Sequence, residues 1–284
     1  MKVSAMNCHY RFYTLEDFFK NAEKNGFHYV ELWTGPMHYY LDYQQYSDVQ
    51  ILKDLEKKYG VKVIGICPEQ TNPKPNNMAM KDLDGQVRVY NYFKNAIDVA
   101  SQIKANHVVV TSGWAYLSED KEQALNRSAN MMRKLADYAK KKNIMLAIEA
   151  LQPRESILVN SISDLKDYLE RVNHDNLKIC LDLGAMAKAE ETINEYFQAF
   201  KSMIIHCHFV DGNPVGHLAW GDGSRNMSND LDDLKAHGYK GYLSFEIVNQ
   251  RYFEEPWSAD EKSIKLFNEW GKSCLLYTSP SPRD

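Results

Sequence analysis

A chain of 284 residues, 44% of them hydrophobic and 25% charged, has the ordinary make-up of a globular protein that can bury a large core. Its formal net charge of −4 is small and its acids and bases are interspersed, so no basic stripe is present to meet a phosphate backbone, and nucleic acid is excluded as an expected partner. No apolar run approaches the roughly 18 residues of a membrane span, Met1 to Asn7 lacks the charged-then-apolar order of a signal peptide, and the five cysteines show no CxxC spacing. The expectation is a cytoplasmic protein with reduced thiols and no membrane partner.

In chain order, short apolar runs alternate with amphipathic stretches eight times. Strands are predicted over residues 2–6, 29–33, 61–66, 107–111, 144–148, 177–181, 203–210 and 241–247. Helices are predicted over 14–24, 48–58, 84–103, 120–141, 163–171, 191–200, 228–236 and 258–269. Thr14 ahead of Glu16 and Asp17, and Ser163 ahead of Asp164, are suitable first-turn caps. Such alternation gives an α/β protein with a parallel sheet, and eight units suit a single (β/α)8 TIM barrel over residues 1–273 better than an open sheet. The connections after the second and third strands, WTGPMHYYLDYQQ and CPEQTNPKPNNM, are long and rich in Pro, Asn, Tyr and Trp, as loops that contact substrate are. Residues 274–284, CLLYTSPSPRD, follow the last helix abruptly, resemble a translated sequencing adapter, and are set apart from the fold as a tail.

Four consecutive strands end in or carry a metal-ligand type. The run IMLAI meets Glu149, LKICLDLG carries Asp182, MIIHCHFVDG carries His208 and GYLSFEIV carries Glu246. They are spaced about one strand-helix unit apart, so a barrel would present one from each strand at its C-terminal mouth. Any one of them alone is more simply a helix cap, a surface acid or a core histidine, and alternation in HCHFV could equally turn His206 inward. Together, three buried carboxylates would repel one another and lose their hydration, which requires a cation among them. The hard oxygen and nitrogen set suits one divalent ion, Mn²⁺, Co²⁺, Mg²⁺, Ni²⁺ or Zn²⁺, and geometry alone does not choose among them. Cys207, between two histidines, faces the opposite side of its strand and is expected to be a buried structural thiol.

The stretches YVELW with His38 soon after, CPEQTNPKPNNM, IEALQPRES, FVDG, HLAWGDG and HGYKGYLSFEIV followed by EEPW carry a resemblance. From Lys2 to about Glu269 the chain resembles the xylose-isomerase-like barrels, the sugar epimerase and isomerase superfamily, and within it the ketosamine 3-epimerases that act on fructoselysine. The resemblance implies that Glu149 and Glu246 are both metal ligands and the acid-base pair, and that Asp182 and His208 complete the metal sphere. It implies that Glu155 contacts the C1 end of a sugar and that His38 and His217 lie at the substrate. Trp33 and Glu69 are further candidate substrate contacts, and Asn77, Trp114 and Asp222 could also shape the pocket. Gly221 and Gly223 match a family turn. A homo-oligomer is implied as well. The implied reaction inverts C3 of a ketose or ketosamine through an enediolate, with a small sugar or sugar-amine as the partner. Two positions depart from the free-ketose 3-epimerases, which have His where this chain has Ala185 and Arg where it has Pro214, and this points away from a free hexulose. Aldose-ketose isomerisation, hydroxypyruvate isomerisation, inosose dehydration and non-catalytic sugar binding are the alternatives on the same barrel.

Overall fold

Strands that must be buried on both faces read as continuous apolar runs, and this chain has eight. In the computed structural model, which describes residues 1–72 and 74–278, they form β1 (Lys2–Met6), β2 (Tyr29–Trp33), β3 (Lys62–Cys67), β4 (His107–Val110), β5 (Met145–Ile148), β6 (Leu177–Asp182), β7 (Ile204–His208) and β8 (Tyr242–Phe245). Each pairs in parallel with the next, and β8 pairs with β1 through Lys2↔Tyr242 to Ala5↔Phe245, closing the barrel. Around it lie α1 (Leu15–Lys24), α2 (Val49–Tyr59), α3 (Leu83–Ile103), α4 (Lys121–Lys141), α5 (Ile162–Val172), α6 (Leu183–Lys188), α7 (Ile193–Phe200), α8 (Met227–Ala236) and α9 (Pro256–Thr278). The single-barrel expectation is met. Among the described residues no helix is long and apolar enough to cross a membrane.

Helix starts follow side-chain chemistry. Thr14 accepts a hydrogen bond from the Asp17 N–H while the Asp17 carboxylate returns to Thr14, a reciprocal cap, and Thr192 and Glu195 repeat it at α7. At α5 the cap is Ser161, not Ser163: Ser161 has the extended backbone of a cap, and its hydroxyl accepts from Asp164 N. The short α6 was not foreseen. It follows β6 with no loop, because Asp182 is at once the last strand residue and the cap of the helix, accepting from Ala185 N. The helix α9 continues through Thr278, past the predicted end at residue 269 and into the set-apart tail; residues 279–284 lie outside the described residues.

Strands β7 and β8 stop earlier than predicted, which decides where the mouth begins. After β8 the chain leaves the ladder by two tight turns, Glu246 N to Ser244 O at 3.0 Å and Ile247 N to Phe245 O at 2.9 Å. Glu246 therefore stands on the rim rather than in the sheet.

Outward-facing strand residues such as Val30, Leu32, Ile179 and Leu243 join the helices in one large apolar core. The space inside the barrel is different. Ser4, Glu31, His107, His206 and Ser244 fill it and are almost wholly buried. Gly65 makes room there, since a Cβ at that position would lie 2.4 Å from His107 Nε2.

Candidate metal centre and substrate cavity

Each of the four donors is placed by the end of its strand. Glu149 directly follows β5 and its N–H is held by Val110 O at 3.0 Å; Asp182 ends β6, His208 ends β7, and Glu246 sits on the turn after β8. One ligand atom from each lies within 4.8 Å of all the others. His208 Nδ1 is the centre of the group, 2.8 Å from Glu149 Oε2, 3.1 Å from Glu246 Oε2 and 3.9 Å from Asp182 Oδ2. His217 reaches in from the loop after β7, its Nδ1 3.1 Å from Glu246 Oε2 and its Nε2 3.8 Å from Asp182 Oδ2.

The electrostatics are those of a crowded acid site. Burial raises the Glu149 carboxyl to about 7 and raises Asp182 above the usual carboxylate range. Burial pushes Glu246 the same way, but His208 and His217 outweigh it and hold Glu246 below the usual range. For His217 burial opposes charge, yet Asp182 and Glu246 outweigh it and raise the ring to about 10. The two glutamates are thus driven in opposite directions. The buried Asp182 Oδ2 has no hydrogen-bond partner, and a single nitrogen, His208 Nδ1, stands among three carboxylates that it cannot all satisfy. Unpartnered donors of this kind, inside a hard set of one nitrogen and three carboxylates, fit a divalent ion.

Above the four donors lies a cavity of about 330 Å³. Of the residues expected at the substrate, Trp33, Glu69, Glu155 and His217 line it, as do Glu149 and Glu246. Glu155 is held by Gln152 N–H at 3.0 Å, and burial raises its carboxyl. His38 does not line it. Its Nδ1 accepts from Asn7 Nδ2 at 2.7 Å and its Nε2 lies 3.1 Å from the carbonyls of Tyr10 and Tyr13, so both ring nitrogens are spent tying two mouth loops together behind Trp33. Asn77 and Trp114 are also outside: the Asn77 side-chain amide bonds both the N–H and the carbonyl of Trp114, clasping the loops after β3 and β4. Asp222 is engaged by Lys262 and by the Tyr252 hydroxyl.

The GDG turn has an internal explanation. Buried Asp211 accepts from the N–H groups of Gly212 at 2.7 Å, Gly221 and Gly223 at 2.9 Å and Arg225 at 3.0 Å, so these donors face a carboxylate of the chain itself and not a phosphate. A Cβ on Gly223 would fall 2.3 Å from Asp211 Oδ1, which demands glycine there. This hub shapes the loop that delivers His217.

Several residues of the site escaped the sequence. Gln70, Lys74, Arg11, Arg154 and Asn249 line the cavity from the mouth loops, and Cys8 and Cys67 line its wall. Cys207 faces outward into the apolar core as expected, and Cys8, Cys67, Cys180 and Cys207 are free thiols. Beneath these four side chains, Glu31 from β2 crosses the barrel interior: its Oε2 lies 2.6 Å from His206 Nε2 and its Oε1 3.4 Å from His208 Nε2. Both histidines therefore face inward, one below the other. Strict alternation in YVELW and in IHCHF holds the signal for this layer, but the pairing joins strands on opposite sides of the barrel.

The chain matches the family described as xylose isomerase-like TIM barrel over residues 19–270. It is 27% identical to the fructoselysine 3-epimerase of Shigella flexneri over 269 residues, 94% of this chain and 97% of that protein. It is 25% identical to the inosose isomerase of Halalkalibacterium halodurans, covering 82% of each. Its fold superposes on the crystal structure of a D-tagatose 3-epimerase-like protein with a TM-score of 0.82 at 21% identity, covering 98% of this chain and 100% of that one. With the closed parallel barrel, these matches establish that the chain belongs to the xylose isomerase-like TIM barrel family.

Proposed function

We propose that the protein is a sugar 3-epimerase that uses one divalent ion, Mn²⁺ in first place, and that its substrate is a ketosamine, with fructoselysine and its C3 epimer psicoselysine as the pair. The observation that carries this reading is the convergence of two glutamates, Glu149 and Glu246, on His208 Nδ1 at the base of the cavity, 2.8 and 3.1 Å from it. The relative from Shigella flexneri, matched along nearly its whole length, supports the choice of substrate. So do Ala185 and Pro214, which stand where free-ketose 3-epimerases carry His and Arg. Assembly as a homo-oligomer in the cytoplasm belongs to the same proposal and rests on the family resemblance.

Glu149, Asp182, His208 and Glu246 would hold the ion, which when bound polarises the C2 carbonyl and acidifies the neighbouring C3–H bond. One of these two glutamates, Glu149 or Glu246, takes the C3 proton; the C–H electron pair moves into the C2–C3 bond and the carbonyl oxygen, giving the enediolate. The other returns a proton to C3 on the opposite face and inverts that centre. In the reverse direction the two exchange roles. His217 lines the cavity and packs so closely on Gly184 that a Cβ there would lie 2.8 Å from its Nε2. It thereby brings an imidazole beside Asp182 in a chain that has Ala185 nearby, and we assign it to a substrate hydroxyl. Glu155 and Trp33 form further walls for the sugar.

Incubation with fructoselysine and Mn²⁺, followed by chromatographic separation, tests the assignment. Conversion to psicoselysine, stopped by a chelator and restored by Mn²⁺, is expected. Turnover of a free ketohexulose with fructoselysine left intact would overturn the ketosamine assignment, and an aldose product would replace epimerisation by isomerisation.

A further inference from the structure

From the layer beneath the mouth we infer that Glu31 is the positioning residue of the metal centre: it fixes His208 with Nε2–H bonded downward and the Nδ1 lone pair facing the three other donors. The inference rests on the metal-site reading above. It begins with the two ends of one ring. His208 Nδ1 looks into the group of Glu149, Asp182 and Glu246, while Nε2 lies 3.4 Å from Glu31 Oε1. An ionised carboxylate only accepts hydrogen bonds, so the ring nitrogen beside it carries the proton, which leaves the other nitrogen bare for an ion.

Glu31 is itself held. Its Oε2 lies 2.6 Å from His206 Nε2, His206 Nε2 lies 3.2 Å from Ser244 Oγ, and Ser244 Oγ lies 2.7 Å from Ser4 Oγ. Every member of this column is fully buried. Ser4, Glu31, His206 with His208, and Ser244 come from β1, β2, β7 and β8, so the column ties four strands together under the mouth. A buried carboxylate with no role would be costly, and an apolar residue would fill the same space. Here the carboxylate spans two histidines, one a donor of the metal set, and gives that donor a single orientation.

The test uses the whole chain and reads metal binding, not turnover. Calorimetric titration of the metal-free protein with Mn²⁺ and with Co²⁺ is compared for wild type and Glu31→Gln, with the visible spectrum of the Co²⁺ form as a report on ligand geometry. We expect one ion per wild-type chain, an affinity loss of roughly 10–100-fold in Glu31→Gln, and a changed Co²⁺ spectrum. Equal affinity and an unchanged spectrum in a folded Glu31→Gln would overturn the inference while leaving the metal centre in place. A wild-type chain that binds no ion would remove the metal centre and the inference with it. Two ions per chain, with the second lost in Glu31→Gln, would make Glu31 a ligand of its own site instead. Should Glu31→Gln fail to fold, nitrogen NMR of the Zn²⁺-loaded wild type decides: a proton on His208 Nε2 is expected, and a proton on Nδ1 overturns the inference.

Discussion

Two aspartates at the mouth, Asp182 and Asp211, are equally hidden, 5% and 1% exposed, yet they have opposite surroundings. Asp211 receives four backbone N–H groups and is satisfied by the loop it organises. Asp182 receives one, from Ala185, and its other oxygen has no partner while it faces His208 and two glutamates. A buried acid whose lone pairs are all engaged by backbone holds a fold together. A buried acid left open among others like it is the kind that suits a cation. Burial alone does not tell the two apart; the inventory of partners does.

The largest expected break in this contrast comes at the acid-base pair. Glu246→Gln keeps the shape of the site and removes one carboxylate of the proposed pair, and steady-state kinetics should show kcat lower by about 10²–10⁴-fold with an unchanged circular dichroism spectrum. A smaller effect separates the aspartates themselves. Asp182→Asn should weaken metal binding by more than the roughly 10–100-fold typical of losing an outer partner. The melting temperature of its metal-free form should stay level or rise, because one of three crowded carboxylates is gone. Asp211→Asn should do the reverse, destabilising by about 1–3 kcal/mol in denaturant unfolding while the folded fraction binds the ion as tightly as wild type. If both variants lose stability alike, the contrast fails.

The smallest effect lies at the helical surface, where Asp98 is the satisfied kind of acid. Burial tends to raise its carboxyl, but Lys142 at 2.7 Å, the Tyr138 hydroxyl at 2.7 Å and Lys94 at 3.2 Å outweigh this and hold it low. A carboxyl lowered in the folded state contributes stability above its unfolded value, about 3.9, and loses it as pH falls through the folded value. Asp98→Asn should therefore unfold slightly more readily than wild type at pH 6, by around 1 kcal/mol or less, with the difference closing in urea titrations as pH falls from the unfolded value through the lower folded one.

The barrel, and the convergence of Glu149, Asp182, His208 and Glu246 at its mouth, were legible because each lies at a break in pattern: an apolar run stops and an acid or histidine stands at the stop. Glu149 and Asp182 are the clearest, since nothing apolar separates them from their strands. His206 and His208 could not be ranked by alternation because both face inward. Their difference is depth along the barrel, which depends on the stagger of strands and on Glu31 across the interior. His38 was misplaced for a related reason. Its loop does belong to the mouth, but carbonyls of Tyr10 and Tyr13, distant in sequence, take up its ring. Ser161 and Ser163 offered two caps for one helix, and backbone conformation chose between them. What sequence patterns did not carry were contacts between residues far apart in the chain.

The most direct test of the account is proton NMR of the Mn²⁺-reconstituted protein acting on fructoselysine in heavy water, followed after the ion is removed, with Glu246→Gln alongside. The account predicts that the substrate's C3 proton signal disappears as psicoselysine grows in, and that neither happens with the variant. Retention of the C3 proton by every ketosamine and ketose offered to the metal-loaded wild type would contradict it.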